Sequence, residues 1–165
     1  MSNYKGHIAG AVIVTSIIMA TVLLLPFTWV LQVNNMLSNW YLVSSLIIVA
    51  ILFGLWPDVD TNSKGQDIFM LIAFLADLAL IYSRKYELAA YLGLFAMLPI
   101  LGKHRGWTHK KWAMIIVPLP ILLIAYLASS NNQIVGLLFY FSAVAGYFSH
   151  LLLDGLIFKH FRIKG

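Results

Sequence analysis

Apolar residues along this chain fall into six runs broken by short polar stretches, at about 8–33, 40–56, 68–82, 88–101, 112–128 and 134–158. None alternates with period two, and each is longer than the strands of a membrane barrel, so the pattern predicts helices. Runs of roughly 17–25 apolar residues match the hydrocarbon thickness of a bilayer. The third and fourth runs are short for full crossings and read as a hairpin that tilts little or reaches only partway. Pro26 is expected to kink the first helix, and Pro118 with Pro120 to remove two backbone donors early in the fifth. Trp40, Trp56, Tyr82, Trp112 and Tyr126 sit near run ends, where amphipathic rings anchor at the membrane interface. Tyr140 and Tyr147 lie deeper and read as packing residues.

Composition fixes the class. Of 165 residues 61% are hydrophobic and 10% charged, and the mean hydropathy is +0.87, whereas a soluble domain is roughly 45–50% apolar. The expectation is an all-α polytopic membrane bundle of about six membrane-embedded helices, one domain over 1–165, with no internal repeat and no linker. The first run is too long for a secretory signal, and no small-residue cleavage site precedes the polar turn at Asn34-Asn35, so it is expected to stay attached. With no cysteine, disulfides and thiolate zinc sites are excluded, and any metal must be held by nitrogen and oxygen.

Cations orient the bundle. With the N-terminus inside, nine of the eleven Lys and Arg residues fall on inner segments, namely Lys5, Lys64, Lys103, Arg105, Lys110, Lys111, Lys159, Arg162 and Lys164. Only Arg84 and Lys85 fall outside. The positive-inside rule then puts both termini in the cytoplasm.

That orientation collects the polar chemistry at one end. His7, the pair Asp58 and Asp60 in Pro57-Asp58-Val59-Asp60, the pair His104 and His109 in His104-Arg105-Gly106-Trp107-Thr108-His109, and His150 with Asp154 all lie at the cytoplasmic edges of apolar runs. His150 and Asp154 share a helical face one turn apart, about 12 Å and 6 Å inside a helix ending near Phe158. Gly146, a turn further back, would allow another helix to approach closely. Taken singly, each patch has a plain structural explanation: a buried His-Asp hydrogen bond, an Asx turn, a basic loop, a helix-start histidine. Together they are seven nitrogen and oxygen ligands, enough for one or two divalent ions, zinc first among them. Elsewhere, Asp77 and Arg84 suggest an outer ion pair, Glu87 a loop charge, His160 a solvated tail residue, and Ser63 and Gly65 ordinary loop positions.

These motifs, in this order and membrane context, resemble the YdjM-like family, LexA-binding inner-membrane proteins regarded as metal-dependent hydrolases. The resemblance runs from His7 to Asp154 and rests most on the HRGxTH and PDxD elements. It implies a multi-pass protein of the bacterial cytoplasmic membrane with a site built from those His and Asp residues. A more distant likeness is to zinc-dependent phospholipase C and P1-type nucleases, whose clusters end in an HxxxD/E pair that His150 and Asp154 would match. The chain departs from the usual YdjM-like pattern at Lys110-Lys111 and in its basic tail, and it offers no N-terminal tryptophan as those soluble enzymes do.

The functional expectation is a hydrolase acting on a phosphoester, an anionic phospholipid or other amphiphile, at the cytoplasmic interface. Arg105, with Lys103 or Lys110, would hold the phosphate, and Asp58 or Asp60 would be ligand or general base. The alternatives are a metal-stabilised scaffold or regulator whose basic loops bind lipid or protein, and a proton-coupled carrier, against which the scarcity of midplane charges counts. The sequence carries no direct nucleic-acid motif and sets no oligomeric state.

Overall fold

The computed structural model describes residues 4–24, 28–59, 63–101, 106–128 and 133–157. Among them are eight α-helices and no strand: α1 (Tyr4–Leu23), α2 (Thr28–Leu37), α3 (Trp40–Leu55), α4 (Lys64–Tyr82), α5 (Tyr86–Met97), α6 (Lys111–Ile116), α7 (Leu119–Ala128) and α8 (Gln133–Leu153). Short 3-10 turns occupy Trp56–Asp58, Leu98–Leu101 and Trp107–His109. Four helical stretches are long and apolar enough to cross a membrane: Tyr4–Leu23, Trp40–Asp58, Lys64–Tyr82 and Gln133–Leu153. Tyr86–Ile100 and Lys111–Tyr126 are shorter.

The elements depart from the apolar pattern where end chemistry takes over. The first run is two helices, α1 and α2, on either side of 25–27, and Pro26 lies outside the described residues. The third run is not short. Ser63 caps α4, its hydroxyl accepting from Gln66 N–H at 3.2 Å, so the helix starts four residues before Ile68 and runs for 19 residues. Gly65, inside its first turn, is buried against Tyr4. In the fifth run α6 and α7 are separated at Val117 and Pro118, and Pro120 sits in the first turn of α7, where a backbone donor is not needed.

Two helix ends close with a left-handed residue. Arg84, at φ 57°, follows α4, with Lys85 N–H donating to Leu80 and Arg84 N–H to Ile81, both at 2.9 Å. This takes Arg84 off the helix, and no Asp77–Arg84 ion pair forms among the described residues; Asp77 Oδ1 is buried without a hydrogen bond. Glu87 lies in the first turn of α5, not in a loop. Gly155, at φ 69°, ends α8 in the same manner, with Leu156 N–H donating to Leu151 and Gly155 N–H to Leu152. The sixth helix therefore stops at Leu153 rather than near Phe158, and Asp154 is its capping residue.

α1, α3 and α8 form the centre of the bundle, with α4 and α5 paired beside them and α7 against α8. Small residues let the central helices nearly touch. A Cβ on Gly146 would stand 1.9 Å from the Ala50 carbonyl oxygen, and one on Gly54 3.1 Å from Ala11 Cβ. Trp40, Tyr82, Trp112 and Tyr126 are exposed as interfacial anchors should be, and Tyr140 and Tyr147 are buried. Trp56 is not an anchor: it is fully buried, stacked on Phe95, with its indole N–H donating to the Phe95 carbonyl at 3.3 Å. Leu71, Phe74, Leu75 and Leu78 on α4 face outward, an exposure suited to lipid rather than water.

Candidate metal centre

Four separate segments deliver side chains to one buried point. His7 comes from the first turn of α1, and Gly10 one turn on lets α8 pack close beside it. Asp58 ends the 3-10 turn that Pro57 initiates beyond α3; Val59 beside it is fully buried in the core with Trp56, so the turn separates the acid from its apolar neighbour. His109 closes the turn at Trp107–His109, and His150 with Asp154 come from the last turn and cap of α8.

The distances are those of a ligand shell. Asp58 Oδ1 lies 3.3 Å from His109 Nε2 and 3.7 Å from His150 Nε2. Asp154 Oδ2 is 3.8 Å from His150 Nε2, and His7 Nε2 is 3.8 Å from both Asp58 Oδ2 and Asp154 Oδ1. Four ligand atoms, one each from Asp58, His109, His150 and Asp154, lie within 4.8 Å of one another. Two donors bound to a tetrahedral zinc at about 2.1 Å stand roughly 3.4 Å apart, so the group needs little adjustment to close on an ion.

Hydrogen bonding identifies which atoms are left for the ion. His150 Nδ1–H donates to the Gly54 carbonyl at 2.8 Å, which fixes the tautomer and turns the Nε2 lone pair to the cluster. His109 Nδ1 is 3.1 Å from Thr108 Oγ1, and Tyr147 donates its hydroxyl proton to the Thr108 carbonyl, so α8 also holds the turn that carries His109. Nε2 of His7, His109 and His150 and Oδ1 of Asp154 are buried and make no hydrogen bond among the described residues. Orphaned buried acceptors are costly. A divalent cation would satisfy all four at once. The His7 and His150 rings stack at 4.1 Å between centroids, which holds His7 against the other donors.

Five of the seven residues expected as ligands are thus together: His7, Asp58, His109, His150 and Asp154. Asp60, His104, Arg105 and Lys103 lie outside the described residues. Lys110 is exposed in the extended residue before α6, while Lys111 reaches over to the Ile157 carbonyl at 2.8 Å and ties α6 to the end of α8. Asp154 lies at the helix end and not a turn inside it, because Gly155 stops the helix. The supporting groups do not stand out in the sequence: Tyr147 reads as a packing residue, although its i−3 spacing from His150 places it on the same face, and Gly54 acts through a backbone carbonyl that no residue type announces. No curated protein and no solved structure matches the chain. The family model for YdjM inner membrane protein matches residues 1–162, and with the helices and His/Asp motifs described above the chain belongs to that family.

Proposed function

We propose that the chain is a membrane-embedded metal-dependent hydrolase of phosphoesters, working at the cytoplasmic interface of the bacterial inner membrane, with zinc as its ion. The observation that carries this reading is a cluster of three imidazoles and two carboxylates in which, among the described residues, the inward atoms of the three histidines and of Asp154 are buried without hydrogen-bond partners. His109, His150, Asp58 and Asp154 would hold the ion, with His7 stacked beside them as a fifth donor. When bound, zinc supplies Lewis-acid polarisation of a phosphoryl oxygen and acidifies a water molecule at cellular pH.

Access separates a catalytic from a purely structural centre. The Asp58 side chain is 18% exposed, against 0–4% for those of the other four, so Asp58 is the most accessible of the five. A carboxylate on the accessible side is placed to take a proton from an entering water. Arg105, four residues before His109 in the sequence, would hold the phosphate as a fork of fixed donors, with Lys103 or Lys110 adding charge. The nine inner cations would set this end of the bundle on the cytoplasmic side.

The test has two readouts. Purified wild type should carry bound zinc and His150→Ala much less; Arg105→Ala should keep metal and fold yet lose turnover of phosphoesters. Metal bound stoichiometrically with no turnover on phospholipids, nucleotides or simple phosphoesters would make the centre a structural clamp.

A further inference from the structure

The two carboxylates of the cluster divide their oxygens between two sets of imidazoles. Asp58 turns Oδ1 to His109 and His150, at 3.3 and 3.7 Å, and Oδ2 to His7 at 3.8 Å. Asp154 turns Oδ2 to His150 and Oδ1 to His7, each at 3.8 Å. The same division appears in the ligand atoms that lie within 4.8 Å of one another: they come from Asp58, His109, His150 and Asp154, and His7 is not among them.

His7 nevertheless has the marks of a ligand. Its side chain is 2% exposed, and neither ring nitrogen makes a hydrogen bond among the described residues. Asp154 Oδ1, the oxygen that faces it, is likewise buried with no hydrogen bond among the described residues. At 3.8 Å His7 Nε2 and Asp154 Oδ1 are too far apart to hydrogen-bond to each other. They are well placed to share an ion, because two donors at about 2.1 Å from one ion stand roughly 3.4–4.2 Å apart as their angle opens from tetrahedral to linear. The same holds for His7 Nε2 and Asp58 Oδ2. These three atoms form a half-site beside the four-donor one.

Ring stacking sets the distance between the two. An imidazole nitrogen binds along a lone pair in its own ring plane, and the His7 and His150 rings lie 22° from parallel with centroids 4.1 Å apart. Both Nε2 atoms face the same pair of carboxylates. Ions held by the two rings would therefore stand about one stacking distance apart, close to the roughly 3.5–4 Å of two-metal sites.

We propose that the cluster binds two divalent ions bridged by Asp58 and Asp154, one closed by His109 and His150, the other held by His7. The first ion has four protein donors. The second has three, the number that leaves a position for a water or substrate oxygen. Filling is ordered, since the first ion fixes the carboxylates whose remaining oxygens the second requires. The proposal rests on the hydrolase reading for what the open position does: a pair of ions clamps the attacking and leaving oxygens of a phosphoryl group.

The experiment titrates the metal-free full chain in detergent with Zn2+, reading bound metal per chain after gel filtration, and repeats the titration with Mn2+ followed by electron paramagnetic resonance. Wild type should bind two equivalents in two steps, His7→Ala one, and His150→Ala neither at concentrations that fill wild type. His7→Ala should also lose phosphoester turnover while keeping its one ion. In wild type the second Mn2+ should convert the isolated-ion spectrum into that of an exchange-coupled pair, a reading that needs no variant and holds even if His7→Ala does not fold. Saturation of wild type at one equivalent, or a second Mn2+ that stays magnetically isolated, would overturn the second site and make His7 a fifth donor to a single ion. An ion retained by His150→Ala would overturn the order of filling, and undiminished turnover by His7→Ala the role of the open position. Two coupled ions without turnover would leave the pair standing and overturn the hydrolase reading; turnover by wild type saturated at one equivalent would do the reverse.

Discussion

A single hydroxyl shows how the candidate centre depends on atoms that point away from it. Tyr147 is fully buried and donates to the Thr108 carbonyl, fixing the turn that aims His109. Tyr147→Phe keeps the ring and its packing on Trp56 but leaves that carbonyl unpaired in an apolar surrounding. Such a loss costs about 1–3 kcal/mol, and removing the support of a ligand commonly weakens metal binding by about 10–100-fold. The expected outcome is a lower melting temperature with zinc affinity reduced by about one order of magnitude or more, measured by competition with a chromogenic chelator. A variant that melts lower with unchanged affinity would mean that the hydrogen bond serves packing alone.

Among the elements, the crossing of α3 and α8 sets the spacing on which the ligand distances rest. Gly146→Ala would push a methyl against the Ala50 carbonyl, backbone that cannot turn aside, and overpacking of this kind costs roughly 1–3 kcal/mol or more. Gly93 in α5 is the control, because a Cβ there meets nothing within 4 Å; Gly93→Ala should stabilise by about 0.5–1 kcal/mol. Thermal unfolding in detergent, with metal content alongside, should separate them: Gly146→Ala melts lower and loses metal, Gly93→Ala does neither. Gly146 was legible because a glycine on the face of a His-Asp pair inside an apolar run has few other uses. The helical runs and the meeting of His7, Asp58, His109, His150 and Asp154 were legible too, since ionisable residues at the edges of such runs stand out against an apolar background. The ends were less so. Ser63 and Gly155 act through cap geometry, and that geometry moved α4 outward and brought Asp154 to the helix end. The burial of Trp56 was hidden because a tryptophan at a run end looks the same whether it faces headgroups or Phe95.

Across the whole molecule, the centre joins the start of α1, the turn after α3, the loop before α6 and the end of α8, segments far apart in the chain. These segments share one end of the bundle, which the proposed function puts on the cytoplasmic side. Reporter fusions at Ser2 and Gly165 should both be active only in the cytoplasm; a periplasmic signal from either would place the centre on the other side or break the alternation of spans. An ion tying these segments must also contribute to the stability of the bundle, because an unfolded chain has no preformed site for it. At a free zinc concentration about 100 times the dissociation constant, the linkage amounts to about 2.7 kcal/mol. Chelation should therefore lower the melting temperature and re-addition of zinc restore it, while His150→Ala, lacking a ligand, should melt at the same temperature with or without chelator. If wild type is as indifferent to chelator as that variant, the cluster holds no ion that matters to the fold, and the orphaned atoms of His7, His109, His150 and Asp154 must be satisfied by water or protons instead.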